Sequence, residues 1–209
     1  MSAARPSADY DRNVFINCPF DEEFMPLFET IVFTVLIAGF KPRCALEAGN
    51  AGQFRLERIM GIISECKYGV HDLSRTESNA KGLPRFNMPL ELGLDLGCRE
   101  FGNRHQKSKR LLIMDRFKNR YQEFISDISG QDIVAHSTSP RKVSGLVRDW
   151  LRGESGVSSI PGGDYMFKRY SVFQRDLPAL RSFLRLDVRR VAFVDLAYVM
   201  RIWLEENEK

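Results

Sequence analysis

"NVFINCPFDEEF", residues 13 to 24, runs as a short β-prone stretch and breaks at Cys18-Pro19 into an acidic patch. An apolar run this short, closed by a turn signal and showing no polar alternation, reads as a strand covered on both faces. Strands of that kind belong to parallel sheets wrapped by helices. The next segment reads as a helix that begins near Asp21, with Asp21, Glu22 and Glu23 at its positive end, Pro26 in its first turn and Gly39 as its stop signal. Its apolar part is hydrophobic nearly all round, and its length together with the flanking glycine assigns it to a well-buried helix rather than to a strand.

The same alternation continues outward from this unit. "KPRCALE" predicts a second strand, a second helix runs from about Gln53 to Cys66, and "YGVHDL" is a third strand. A helix from Asn87 to Phe101 precedes the strand "KRLLIMD". "NRYQEFISDI" reads as an amphipathic helix, "QDIVAH" as a short strand and "VSGLVRDWL" as the last core helix. Strands alternating with helices predict an α/β fold: three layers, with a mainly parallel flavodoxin-like sheet. Residues 1 to 12 read as a flexible arm, 13 to 152 as the main α/β domain and 153 to 164, "GESGVSSIPGGD", as a linker. Residues 165 to 209 read as a small helical extension and a candidate assembly element. In it Leu177, Leu180 and Leu184, and then Val194, Ala197, Tyr198 and Arg201, fall at helical spacing.

The chain of 209 residues is long enough for a sizeable core, and 44% hydrophobic with 28% charged residues is an ordinary globular balance. A net charge of +4 supports a mild preference for anions, nucleotides included, but not the dense basicity of a dedicated nucleic-acid binder. Cys18, Cys44, Cys66 and Cys98 are widely spaced and form no CxxC pair, which argues against zinc and for reduced thiols in the cytoplasm. The N-terminal stretch has no apolar core of a signal peptide, and "IVFTVLIAGF" is too short to span a bilayer, so no membrane role is expected.

Ligands of open parallel sheets gather outside the carboxyl ends of the strands. Asn17 to Asp21, Glu47, the pair His71 and Asp72, and Asp115 all stand at such ends. The helix "RFNMPLELGLDLG" brings Asn87 and Glu91, four residues apart, to one face, and its Leu90, Leu94 and Gly97 are expected to pack toward the sheet. A carboxylate in the first turns of such a helix can be partly desolvated and stabilise positive charge. Cleavage of an N-glycosidic bond demands this, because the ribosyl group becomes oxocarbenium-like as the base departs.

The ordered set "INCPFDEEF", "RCALE", "ISECKYGVHDLSRTESN" and "NMPLELGLDLG" resembles the TIR-like and nucleoside 2-deoxyribosyltransferase-like superfamily. The likeness covers about residues 13 to 150 and implies a flavodoxin-like sheet with cleavage or transfer at nucleoside N-glycosidic bonds. For many TIR-type members the substrate is NAD, degraded in antiviral or stress responses. Matched position by position, Glu91 takes the place of the catalytic carboxylate, Asp72 that of the strand-end acid of the pocket, and Asn87 that of the Asn before Glu-Leu-Gly. Pro19, Phe20 and Asp21 match the first loop. Here "LSRTESNAKGLPRF" lengthens the connection between Asp72 and Asn87, as a lid or specificity element would.

The expected substrate-binding set is therefore Asn17, Pro19, Phe20, Asp21, Arg43, Arg55, Asp72 and Asn87, with Arg43 or Arg55 taking phosphates through a bidentate guanidinium. No metal and no cofactor are implied, NAD being substrate rather than cofactor. Each of these residues also has a plainer role open to it. Asn17 can satisfy loop backbone groups, Asp72 can cap the turn that follows it, and the two arginines can be ordinary surface charges. His71 should point to the face opposite Asp72 and pack there, Cys18 reads as a buried thiol, and the basic run "NRHQKSKR" as a solvated loop. The expected partners are a nucleotide or nucleoside, together with a second copy of the chain or an activating protein. A nucleotide-signal sensor without turnover and a TIR-like assembly module remain the alternatives.

Overall fold

All five residues of β1 (Asn13–Asn17) are buried, because the strand lies inside a sheet with helices on both faces. In the computed structural model, which describes residues 9–47, 52–76, 85–186 and 192–207, β1 pairs in parallel with β2 (Lys41–Cys44) on one side and β3 (Tyr68–Asp72) on the other. β4 (Arg110–Asp115) and β5 (Ile133–Ala135) continue the sheet in the order β2-β1-β3-β4-β5, parallel throughout. The fold is α/β, with the flavodoxin-like strand order expected from the sequence. The chain leaves β1 toward one edge and returns to build the other, so a crevice opens at the carboxyl ends of β1 and β3.

The pleat divides the sheet's side chains between two cores. Val14, Ile16, Tyr68, Val70, Leu112 and Met114 face α1 (Met25–Ile37) and α4 (Pro140–Ser155). Phe15 faces α2 (Arg55–Ser64) and packs with Ile59, Ile62 and Ile63, while Ile113 packs with Leu92 of α3 (Asn87–Phe101). Ser139 caps α4 by accepting the amide of Lys142 at 3.3 Å, and Pro140 follows as its first residue. Gly39, at φ 81°, makes the left-handed turn from α1 into β2.

The physical reason for the all-round hydrophobicity of α1 lies in α5 (Gly163–Phe183) and α6 (Phe193–Asn207). α1 buries eight residues, the unbroken run Thr30 to Val35 together with Leu27 and Phe28 a turn earlier. The ring of Phe33 lies 5.5 Å from those of Tyr170 and Phe173 and 6.0 Å from that of Trp203. The sheet covers one side of α1 and the C-terminal helices cover the other, in one continuous apolar cluster. The indole Nε1 of buried Trp203 donates to Asp176 Oδ2 at 2.9 Å, so its polar atom is satisfied as well.

Four expectations change in detail. Residues 1–8 of the expected arm lie outside the described residues, but Asp9–Arg12 are tied down, with Tyr10 buried and its hydroxyl donating to His105 O at 3.1 Å. The predicted helix over "NRYQEFISDI" is instead two 3-10 turns, Arg120–Glu123 and Ser126–Ile128, because Arg120 is held back on Asp115 Oδ1 and on the carbonyl of Leu73. α4 runs to Ser155, into the expected linker, whose remainder is strapped down by Arg148 donating to Pro161 O and Ile160 O and by Arg152 donating to Ser158 O. α6 turns Phe193, Leu196, Met200 and Trp203 inward and leaves Val194 and Tyr198 exposed, one position out of phase with the expected stripe.

Candidate functional site

A cleft of about 330 Å³ opens at the crevice between β1 and β3. Three elements supply its walls: the β1–α1 loop from Asn17 to Asp21, Arg55 at the start of α2, and the segment carrying Arg85, Asn87 and Glu91. Neither α2 nor α3 has a side-chain cap, so the positive ends of both helices begin at this cleft beside two guanidinium groups.

Glu91 is 7% exposed and has no hydrogen bond or ion pair among the described residues. Burial pushes its carboxyl up from the usual carboxylate range to about 7, and the charge of Arg55 opposes that rise. Asn87, one turn before Glu91, lines the same cleft, as the four-residue spacing predicts. An almost buried, unpaired acid balanced near neutrality beside a cationic group can bind positive charge, accept a proton or return one.

The first loop is fixed by its polar groups. Asn17 Nδ2 donates to the carbonyl of Met88 at 2.9 Å and lies 3.0 Å from His71 Nδ1, fastening the tip of β1 to the first turn of α3. Pro19 is buried, and Phe20 packs edge-on against Phe28 with ring centroids 5.2 Å apart. Asp21 Oδ1 accepts the amide of Phe24 at 3.1 Å and Arg75 Nη2 at 3.0 Å, and its Oδ2 lies 3.5 Å from Arg85. Asp21 therefore organises the loop and the two arginines. Burial pushes the thiol of Cys18 well above its ordinary value, which disfavours the thiolate a nucleophile needs.

Two expected members stand elsewhere. Asp72 does not line this cleft. In β3 its side chain shares a face with Val70, toward α1, whereas His71 points toward α3 and meets Asp95. Asp72 Oδ1 accepts the amide of Ser74 at 2.9 Å and its Oδ2 lies 3.0 Å from His136 Nε2. Arg43 is also absent from the cleft; its guanidinium is engaged by Glu47 at 2.7 Å and Glu65 at 3.1 Å, alongside the edge strand. Leu90, expected to face the sheet, is 52% exposed, while Glu91, Leu92 and Asp95 point inward. The helix turns a partly polar stripe to the sheet, and a reading of its leucines alone puts it out of phase.

That stripe reveals a set that sequence reasoning did not single out. Asn17 donates to His71 Nδ1, so Nε2 carries the ring proton and donates to Asp95 Oδ2 at 3.0 Å. Asp95 Oδ1 pairs with Lys109 at 3.1 Å, and Lys109 donates to Ile63 O at 2.8 Å and to Cys66 O. His71, Asp95 and Lys109 are 0% exposed, so Lys109 is the buried exception in a basic run otherwise read as solvated. Gly69 lies beneath them, where a Cβ would sit 2.7 Å from Asp95 Oδ2 and 2.8 Å from His71 Nε2. The available signal was Asp95 one turn beyond Glu91. Arg85 was also missed, although it closely precedes Asn87.

Comparison of the chain with protein-family models, with curated proteins and with solved structures finds no match. Among the described residues no group of three or more His, Cys, Asp or Glu could hold a metal ion, and no helix is long and apolar enough to cross a membrane.

Proposed function

We propose that the cleft at the tips of β1 and β3 is the active site of a TIR-like N-glycosidase that cleaves the bond between base and ribose of a nucleotide, with NAD the leading substrate. The observation that carries this reading is Glu91: buried, unpaired, and lining a cleft at the crevice with Arg55, Arg85 and Asn87.

Nicotinamide leaves a pyridinium nucleotide as a neutral base and needs no proton. The C1′–N bond breaks with its electron pair going to nitrogen, and the ribosyl carbon becomes cationic. A carboxylate in a dry cleft stabilises that charge more strongly than water does. The substrate's own positive charge favours ionised Glu91 on binding, offsetting the effect of burial. Water then attacks C1′, and its proton passes to Glu91, whose balance near neutrality suits a base. Arg55, Arg85 and the uncapped starts of α2 and α3 take the diphosphate, while Asn17 and Asp21 hold the loop. Arg43 and Asp72, committed to other partners, have no direct contact with substrate in this scheme. The family resemblance that supports the reading also implies a cytoplasmic role in antiviral or stress defence, with self-association or an activating protein.

The test is incubation of the purified chain with NAD, NADP and deoxynucleosides, followed by chromatography of the released base, beside Glu91→Gln. Release by the wild type alone supports the glycosidase. Tight nucleotide binding by both proteins with no release identifies a sensor instead, and self-association without nucleotide binding identifies an assembly module.

A further inference from the structure

On the other face of the strand tips lies a second, smaller cavity of about 120 Å³, built by residues that follow β3, β4 and β5 and by the start of α1. We propose that it binds a phosphate dianion, free or as the terminal phosphoryl group of a nucleotide. This does not depend on the reading of Glu91.

The polar lining is Ser74, Arg75, Arg116, His136 and Thr138, with Glu23 at the rim. The hydrogen-bond directions make it a donor site. Thr138 N donates to His136 Nδ1 at 3.0 Å, so Nε2 carries the proton, and that proton faces Ser74 Oγ at 2.8 Å and Asp72 Oδ2 at 3.0 Å. This arrangement is not a hydrolytic triad, because serine and aspartate meet the same ring nitrogen and none is left to take the serine proton. The Ser74 hydroxyl hydrogen is left with no acceptor among the described residues, and the Thr138 hydroxyl has no partner there either. Arg75 engages Asp21 and Glu23 through Nη2 alone, leaving Nε and Nη1 to donate.

The lining also carries the guanidinium groups of Arg75 and Arg116. A cavity rich in donors fits a ligand that only accepts, and its volume is on the order of a few waters, the size of one tetrahedral oxyanion rather than a whole nucleotide. Ser137 and Thr138 both take left-handed backbone at the rim, with φ of 53° and 56°, which holds the Thr138 amide on His136.

The experiment is a titration of the full chain with inorganic phosphate, and separately with AMP, followed in amide ¹H–¹⁵N spectra. Saturable shifts at Ser74, Arg75 and Thr138 are the expected result, with an affinity of their own, distinct from that of any shifts at Asn87 and Glu91 in the larger cleft. Tighter binding of AMP at the same amides assigns the phosphoryl of a nucleotide, and equal or weaker binding assigns free phosphate. Arg75→Gln should weaken the affinity read at these amides at least tenfold and Thr138→Val severalfold. Absence of saturable shifts at Ser74, Arg75 and Thr138, whatever happens at Asn87 and Glu91, or unchanged affinity there in a folded Arg75→Gln variant overturns the proposal.

Discussion

The carboxamide of Asn17 donates to the carbonyl of Met88 at 2.9 Å, joining the last residue of the first strand to the first turn of the helix that carries Glu91. Both groups are buried, so the bond sets the height of α3 above the strand tips. Asn17→Ala leaves the Met88 carbonyl and the acceptor nitrogen of His71 without their donor. The expected cost is about 1–3 kcal/mol, read from urea unfolding, with base release falling because Glu91 loses its registration.

The buried pair of Asp95 and Lys109 gives a second prediction. Lys109→Met strands a carboxylate in the core and should destabilise the fold by about 3–5 kcal/mol. Adding Asp95→Asn removes the stranded charge while an amide oxygen can still accept from His71, so the double variant should recover part of the loss. A double variant no more stable than Lys109→Met would show that the ion pair is not what the lysine supports.

Gly69 should tolerate no side chain. A Cβ there meets Asp95 Oδ2 and His71 Nε2 at 2.7 and 2.8 Å, and neither atom can retreat without breaking the bond between them. Gly69→Ala is expected to cost about 1–3 kcal/mol in chemical denaturation.

Glu91 should make stability depend on pH. Its carboxyl, raised by burial from 4.5 to about 7, holds its proton in the folded chain where the unfolded chain has already lost it. Folding therefore binds a proton between those values, and this residue's contribution declines as pH rises from about 4.5 through about 7. Glu91→Gln should match the wild type near pH 4 and exceed it near pH 8, by up to about 3 kcal/mol. Carboxyl ¹³C titration of Glu91 checks the cause, and Arg55→Gln should move its midpoint upward.

The C-terminal helices should be inseparable from the sheet. Trp203→Ala removes the ring shared by Phe33 and Phe173 and should cost about 3–5 kcal/mol in thermal or urea unfolding. A chain ending at residue 160 exposes the outer face of α1 and should aggregate rather than yield a folded, monodisperse domain in size-exclusion chromatography.

The order of strands and helices, the parallel sheet, and the bounds of α3 were legible in the linear chain, because each rests on local periodicity, turn residues and the two-sided burial of short apolar runs. The meeting of Asn87 with Glu91 was legible for the same reason, since helical spacing is a local property. The phase of α3 was not: it is fixed by Asp95 reaching His71 and Lys109, partners 24 residues before it and 14 after it, so polar residues occupy positions that apolar counting gives to Leu90. Nor did the sequence reveal that Asp72 and Glu91 stand on opposite faces of the sheet. The pleat decides the side on which a strand residue emerges, and only the packing of α1 and α3 decides which side holds the cleft. The tertiary fold likewise gave α1 its second covering, since an all-round apolar helix states that it must be buried but not by what.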